Sequence, residues 1–110
     1  MSTRHWQLRI EDILESIQHI FNYTANMDFP TWKNDQKTID AVIRNFEIIG
    51  EAANHIQPEI QSQFSNIPWV QLKGIRNILI HEYFGVDIEV IWETIQNDLP
   101  PLQKNLSSLL

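Results

Sequence analysis

The stretch at residues 6–24, WQLRIEDILESIQHIFNYT, decides the fold class because its apolar side chains recur with a helical period. Successive apolar positions lie alternately four and three residues apart, which places them on one face of an α-helix. Two further side chains, Leu14 and Phe21, widen that face. We therefore predict a long amphipathic helix whose buried positions are Trp6, Ile10, Ile13, Ile17, Ile20 and Thr24.

The rest of the chain also has helical periodicity, without the alternation that predicts strands. Helices are expected at 35–56, at 58–64 with Pro58 in the first turn, and at 69–82. Asp87 is expected to cap a last helix, which Pro100 and Pro101 break or kink. Residues 26–34 are expected to form a turn in which Trp32 is exposed. The pattern predicts an all-α, up-and-down bundle of about five helices in a single domain, 1–110.

Composition excludes several classes of protein. The chain has 110 residues and no cysteine, which excludes disulfides and thiolate chemistry. Its net charge of −6 disfavours a general nucleic-acid coat protein, because non-specific binding depends on many basic residues. No apolar run approaches the roughly 20 residues that span a bilayer, and the N-terminus has no signal-peptide core, so we expect a cytoplasmic protein without membrane contact. The four histidines lack a metal-binding spacing, so neither metal nor cofactor is expected.

The segment at 76–83, RNILIHEY, places a guanidinium, an imidazole and a phenol at the end of an apolar helix. Arginine matches phosphate geometry, and histidine transfers protons near neutrality. On an ideal helix Arg76 and Tyr83 share one stripe, and Asn77 and His81 share a neighbouring one. Arg76 and His81 are about 140° apart, so a site that needs both is formed more easily at a bent helix end or between two copies of the chain.

Each of these residues also has a structural interpretation. Arg76 could be a buried cation paired with Glu51 or Glu47. His81 could be a helix-end histidine stabilised by the helix dipole, and Tyr83 a core or interface aromatic residue. From the residue pattern alone, these alternatives stay open.

Two glutamate–histidine pairs at a spacing of four residues are expected to be solvated contacts on helix surfaces. They are Glu15 with His19 and Glu51 with His55. Glu51 also follows Gly50, which permits close approach of another helix. We therefore predict that Glu51 orients Arg76 or His81 from the second long helix.

The pattern Arg76-x4-His81-x-Tyr83 resembles the motif of the HepT-like toxins in the HEPN superfamily. The resemblance extends over most of the chain. It includes DAVIRN at 40–45, IIGEAA at 48–53, IPW at 67–69 and HEYFGVD at 81–87. The motif is specific only in combination with these segments, since Arg-x4-His alone is common.

The resemblance implies a dimeric, metal-independent ribonuclease toxin that is encoded beside a small nucleotidyltransferase antitoxin (MntA-like). That partner is expected to inactivate the toxin by transferring AMP from ATP to Tyr83. His81 would then be the general base or acid, Arg76 the phosphate ligand and Asn77 an orienting residue. A structured RNA such as tRNA is the expected kind of substrate, and Lys33, Lys37, Lys73 and Arg44 are candidate contacts.

Two other functions fit the same residues. One is a non-catalytic helical dimer that serves as the binding or regulatory subunit of a nucleotidyltransferase. The other is a structural dimer without a site.

Overall fold

The computed structural model describes the backbone of residues 4–81 and 87–110 and the side chains of residues 5–75 and 87–110. All regular structure within these ranges is helical, which confirms the all-α prediction. The helices are α1 (Arg4–Thr24), α2 (Phe29–Lys33), α3 (Gln36–Asn54), α4 (Pro58–Gln63), α5 (Trp69–His81), α6 (Ile88–Glu93) and α7 (Leu99–Ser107).

A π-helical stretch, Thr94–Asp98, joins α6 to α7 without interruption. If α6, the π-helical stretch and α7 are counted as one continuous helix, the described residues form six helices, whereas about five were expected. The additional helix is α2, which lies in the segment that we expected to be a turn. Asp28 caps it by accepting a hydrogen bond from the Thr31 N–H at 2.9 Å, and Pro30 lies in its first turn, where a missing N–H costs nothing.

The two prolines near the C-terminus do not break the last helix. Pro100 and Pro101 lie in the first turn of α7, directly after the π-helical stretch. The Leu99 N–H donates to the carbonyl of Thr94, five residues earlier, which makes the turn wider than in an α-helix. The wider turn lets the chain continue as a helix past residues that lack an N–H.

Helices α1 and α3 pack together and run in opposite directions. Arg9 lines the same groove as Glu51, whereas His19, ten residues further along α1, lies beside Asn45. As numbering rises along α1 it therefore falls along α3. Helix α5 packs on α3, and α7 packs on α1, where Gln103 donates a hydrogen bond to Gln18 at 3.1 Å.

The predicted apolar faces are largely buried, although Trp6, Leu14 and Phe21 on α1 are only partly buried against the core. On α1 the four isoleucines of the stripe have no exposed area, and Thr24 is buried with its hydroxyl donating to the Ile20 carbonyl at 2.8 Å. Together with the α3 face they belong to one buried cluster that extends from Ile10 to Leu106. Burial of side chains of this size is the dominant stabilising contribution, at about 1.5–3 kcal/mol each. The α3 face comprises Ile39, Val42, Phe46, Ile49, Ala52 and Ala53.

No helix that the structure describes combines enough length with enough apolar character to cross a bilayer.

Candidate functional site

The predicted site lies on the second half of α5. This helix continues without a break from Trp69 to His81, so it carries Arg76, Asn77 and His81 on regular α-helical backbone. The side chains of these three residues, and all of Tyr83, lie outside the described part of the molecule. The distances between them therefore stay predictions, whereas the helical spacing of their backbone positions is now established up to His81.

The first half of α5 holds the helix in the bundle. Trp69 and Leu72 are buried, and the indole N–H of Trp69 donates to the Phe64 carbonyl at 3.0 Å. The side chain that precedes the helix, Ile67, is buried as well. These contacts fix the start of α5 beside the end of α4, and α5 also packs on α3.

Gly74 lies inside α5, two residues before Arg76. A Cβ atom built at this position would meet no atom within 4 Å, and no described glycine has a positive φ. Neither packing within the chain nor backbone conformation therefore requires a glycine here. Among the residues that the structure describes, no other helix comes within 4 Å of this point on α5.

Glu51, the predicted supporting residue, lies in the last turns of α3 and is half-exposed. Its carboxylate is 3.9 Å from Nδ1 of His55. The same ring nitrogen is 2.8 Å from the Glu51 carbonyl oxygen, and because a carbonyl only accepts, Nδ1 carries the proton. The contact with His55 confirms the expected pair at a spacing of four residues.

Glu51 also lines a groove of about 460 Å³ between α1 and α3. The groove contains two arginines and three carboxylates, and each arginine is close to an acid on its own helix. Arg9 lies 3.9 Å from Asp12, and Arg44 lies 3.6 Å from Glu47. With two positive and three negative side chains, the groove has a formal charge of −1, which does not favour phosphate binding.

The four candidate basic contacts are distributed over the three helices α2, α3 and α5. Lys33 ends α2 and Lys37 is the second residue of α3, so both exposed side chains lie at the junction of these helices. Lys73 is half-buried on α5, and Arg44 is 70% exposed beside Glu47. Lys33 and Lys37 are four residues apart across this junction, and Lys37 and Arg44 are seven residues apart on one stripe of α3.

Aromatic side chains hold the point where the chain enters α6. Trp32 is fully buried, and its indole N–H donates to the Ile88 carbonyl at 3.0 Å. Its ring lies 5.8 Å from that of Trp92, which in turn lies 6.5 Å from Phe29 in an edge-to-face arrangement. Asp87 caps α6 by accepting hydrogen bonds from Glu89 and Val90.

The prediction that Trp32 is exposed was wrong, because α2 turns the side chain into the core. Asp28 followed two residues later by Pro30 is a helix-start signal. Read as such, that signal would have placed Trp32 on a helix rather than in a turn.

The other pair at a spacing of four residues is also present. His19 lies 3.8 Å from Glu15 and, on its other nitrogen, 3.4 Å from the side-chain oxygen of buried Asn45. Among the residues whose positions are described, no group of three or more His, Asp or Glu side chains has a metal-binding arrangement.

Comparison with known proteins places this chain among relatives that match it over nearly its whole length. A family model described as ribonuclease HepT-like matches residues 13–109. "Probable ribonuclease HepT" of Thermococcus cleftensis is 41% identical over 100 residues, covering 91% of each chain. "Putative RNase MJ1380" of Methanocaldococcus jannaschii is 39% identical over 106 residues, covering 96% of this chain and 97% of the relative. No solved structure matches. Since the family model covers most of the chain, including the second half of α1, all of α3 and the motif helix, the chain belongs to the HepT-like ribonuclease family.

Proposed function

We propose that the protein is the toxin of a bacterial toxin–antitoxin pair and that it cleaves RNA without a metal ion. The observation that carries the proposal is the family match over residues 13–109, which includes the whole pattern Arg76-x4-His81-x-Tyr83. The names of the relatives, which refer to RNases, support the same substrate class.

Cleavage without a metal uses the RNA as its own nucleophile. The ribose 2′-oxygen attacks the adjacent phosphorus, the bond from phosphorus to the 5′-oxygen breaks, and a 2′,3′-cyclic phosphate and a 5′-hydroxyl result. One proton leaves the 2′-hydroxyl and one is added to the leaving oxygen. His81 transfers one of these protons, and Arg76 binds the phosphate and stabilises the charge that develops on it. Asn77, one turn before His81, orients the imidazole or the phosphate.

The helical backbone of α5 supports a site completed by two copies of the chain. Arg76 and His81 are separated by about 140° around the axis and about 7.5 Å along it. One copy therefore does not direct both side chains squarely at one phosphate. A two-fold dimer supplies two arginines and two histidines to one cleft, so that one imidazole serves as the base and the other as the acid.

The proposed partner is a small nucleotidyltransferase antitoxin that modifies Tyr83. The phenol oxygen attacks the α-phosphorus of ATP, the bond to the β-phosphate oxygen breaks, pyrophosphate leaves, and the phenol proton passes to solvent. The attached AMP adds bulk and negative charge close to the motif. It excludes the RNA phosphate by occupying its space and by pairing with Arg76.

The charge distribution favours a compact RNA substrate over a long single strand. The chain has eight Lys and Arg against fourteen Asp and Glu, and the groove beside Glu51 is net acidic. Few phosphates can therefore be neutralised at once. A folded RNA such as tRNA, which is recognised mainly by its shape, needs only a few such phosphate contacts. We propose that the protein meets this substrate in the cytoplasm.

The test is cleavage of a tRNA pool by purified protein in EDTA. We expect cyclic-phosphate ends with the wild type, and activity lowered about 100-fold or more in His81→Ala, as for loss of a general acid or base. His5→Ala is the matched control, because His5 is exposed near the start of α1. Equal activity of the wild type and His81→Ala would contradict the proposal. Absence of cleavage together with AMP on Tyr83 would favour the regulatory-subunit function.

A further inference from the structure

A groove of about 350 Å³ lies between α5 and α7, outside the motif residues to which the cleavage chemistry is assigned. Helix α5 packs on α3, whereas α7 packs on α1, so different neighbours hold the two helices that border the groove. Its floor is apolar, because Leu72 of α5 and Leu102 of α7 are both buried. Two exposed prolines, Pro68 and Pro101, line it nearer the surface. The groove therefore offers an apolar surface to a ligand.

Three polar side chains line the same groove. Gln71 comes from α5, whereas Asp98 precedes α7 and Asn105 lies two turns further along that helix. Within residues 5–75 and 87–110, these three side chains make no hydrogen bond or ion pair with another residue. Their donors and acceptors are therefore available to a ligand.

The residues after Asp98 explain why its carboxylate has no partner in the described part of the chain. An aspartate at the start of a helix usually accepts a hydrogen bond from the N–H of the second or third helical residue. In α7 these residues are Pro100 and Pro101, which have no N–H. Asp98 also ends the π-helical stretch, a distortion that is frequent at functional sites. Its carboxylate thus keeps its capacity to accept from a ligand.

The lining of the groove matches the donors of a guanine base. An ionised carboxylate only accepts, through two oxygens. Guanine presents two neighbouring donors, N1–H and the N2 amino group, and one carboxylate can accept from both. Adenine and cytosine carry an acceptor nitrogen beside their single amino group, and uracil has one N–H between two carbonyl oxygens. A phosphate is disfavoured, because the charge among the described lining residues is that of Asp98.

We propose that this groove binds an unpaired guanine of the RNA substrate, beside the bond that is cleaved. Ile75 lines the groove and directly precedes Arg76 in α5. Leu72 lies one turn before Arg76 on the same stripe, about 6 Å along the helix axis. The guanine has to be unpaired, since base pairing occupies the edge that the carboxylate contacts. The inference rests on the proposed ribonuclease function and gives that function a base preference.

Nucleotide binding tests the groove without any need for cleavage. The probes are GMP, AMP and inosine monophosphate, which share ribose and phosphate, so contacts with the phosphate do not distinguish them. Inosine monophosphate lacks the N2 amino group. In NMR titrations we expect GMP to shift the side-chain amide signals of Gln71 and Asn105. GMP should bind about tenfold more tightly than AMP and about fivefold more tightly than inosine monophosphate, as for loss of a bidentate contact.

The chain offers a matched pair of variants for the carboxylate. Asp98→Asn and Glu93→Gln each remove one negative charge from an exposed position on the continuous helix that contains α6 and α7. The preference for GMP over AMP should fall below about twofold in Asp98→Asn and be kept in Glu93→Gln. Equal binding of GMP and AMP by the wild type, or an unchanged preference in Asp98→Asn, would overturn the guanine site.

Cleavage assays separate this proposal from the ribonuclease function on which it rests. The substrates are two hairpin RNAs that differ only in having G or A at one loop position. The wild type should cleave the G hairpin with a kcat/KM about tenfold higher, and Asp98→Asn should cleave both at similar rates. An active wild type without this preference would overturn the role of the groove alone. A wild type that binds GMP through Asp98 but cleaves no RNA would overturn the ribonuclease function and retain the guanine site.

Discussion

The carboxylate of Glu51 lies 3.9 Å from Nδ1 of His55, the residue that directly follows α3. An almost identical pair occurs on α1, where Glu15 lies 3.8 Å from His19. Only the first pair includes a residue of the Gly50-Glu51-Ala52 segment, which resembles the family pattern. A comparison of variants at Glu51 and Glu15 therefore distinguishes the loss of a surface contact, which both pairs make, from the loss of a role that only Glu51 has.

We expect Glu51→Gln to lower RNA cleavage about tenfold, because we propose that its carboxylate orients Arg76 or His81. Glu15→Gln should leave cleavage unchanged. Both changes should alter the free energy of unfolding by only about 0.2–0.5 kcal/mol, as expected for exposed contacts at this spacing. Steady-state kinetics and urea unfolding of both variants provide the measurements. If Glu51→Gln retains full activity and stability, Glu51 has no supporting role.

The two tyrosines of the chain allow the modification site to be assigned by substitution. After co-expression with a neighbouring nucleotidyltransferase gene, intact-mass spectrometry should find one AMP adduct on the wild type. Tyr83→Phe should lack the adduct, since a phenyl ring offers no oxygen to attack phosphorus. Tyr23→Phe, which alters a partly exposed tyrosine on α1, should keep it. An adduct that persists in Tyr83→Phe would contradict the assignment.

Gly74→Ala should stabilise the isolated chain by about 0.5–1 kcal/mol, because alanine loses less backbone entropy in a helix and its Cβ has open space. Gly50→Ala is the matched control. Gly50 is also inside a helix but is buried, so an added methyl group should cost about 1–3 kcal/mol. Chemical denaturation measures both changes. If Gly74→Ala is stable but inactive, the side of α5 that carries Gly74 is used in RNA binding or in contact between copies of the chain.

Acid sensitivity should depend in part on Asp35, which caps α3. Its carboxylate accepts hydrogen bonds from the Thr38 N–H at 3.0 Å and from the Thr38 hydroxyl at 2.8 Å. These bonds favour the charged form and lower the pKa of Asp35 below its ordinary value, the backbone bond contributing most. A carboxylate with a lowered pKa stabilises the fold fully above its unfolded pKa, and this contribution is lost as the pH falls through the folded pKa.

Asp35→Asn should therefore show a smaller fall in Tm between pH 6 and about pH 2 than the wild type, because asparagine still caps the helix but does not titrate. Asp40→Asn removes a carboxylate from the same helix without affecting the cap. Thermal melts across this pH range compare the three proteins. An equal pH dependence in Asp35→Asn and the wild type would contradict the assignment.

The sequence by itself determined the main helices and their buried faces. The isoleucines of α1 at alternating spacings are buried because a helix repeats every 3.6 residues, which needs no knowledge of neighbouring elements. The motif helix was located at 69–82 and is observed at Trp69–His81 for the same reason. The motif residues and their resemblance to a family were likewise readable from the sequence, and family membership is confirmed over residues 13–109.

Tertiary structure decided the features that depend on contacts between distant segments. Trp32 was expected to be exposed, but it is buried because α2 directs it towards Ile88 and Trp92, more than 50 residues later. The continuation of the last helix past Pro100 and Pro101 depends on a π-helical turn that no local pattern indicated. Periodicity reports which face of a helix is apolar, whereas the identity of the partner that covers it is fixed only when the helices pack.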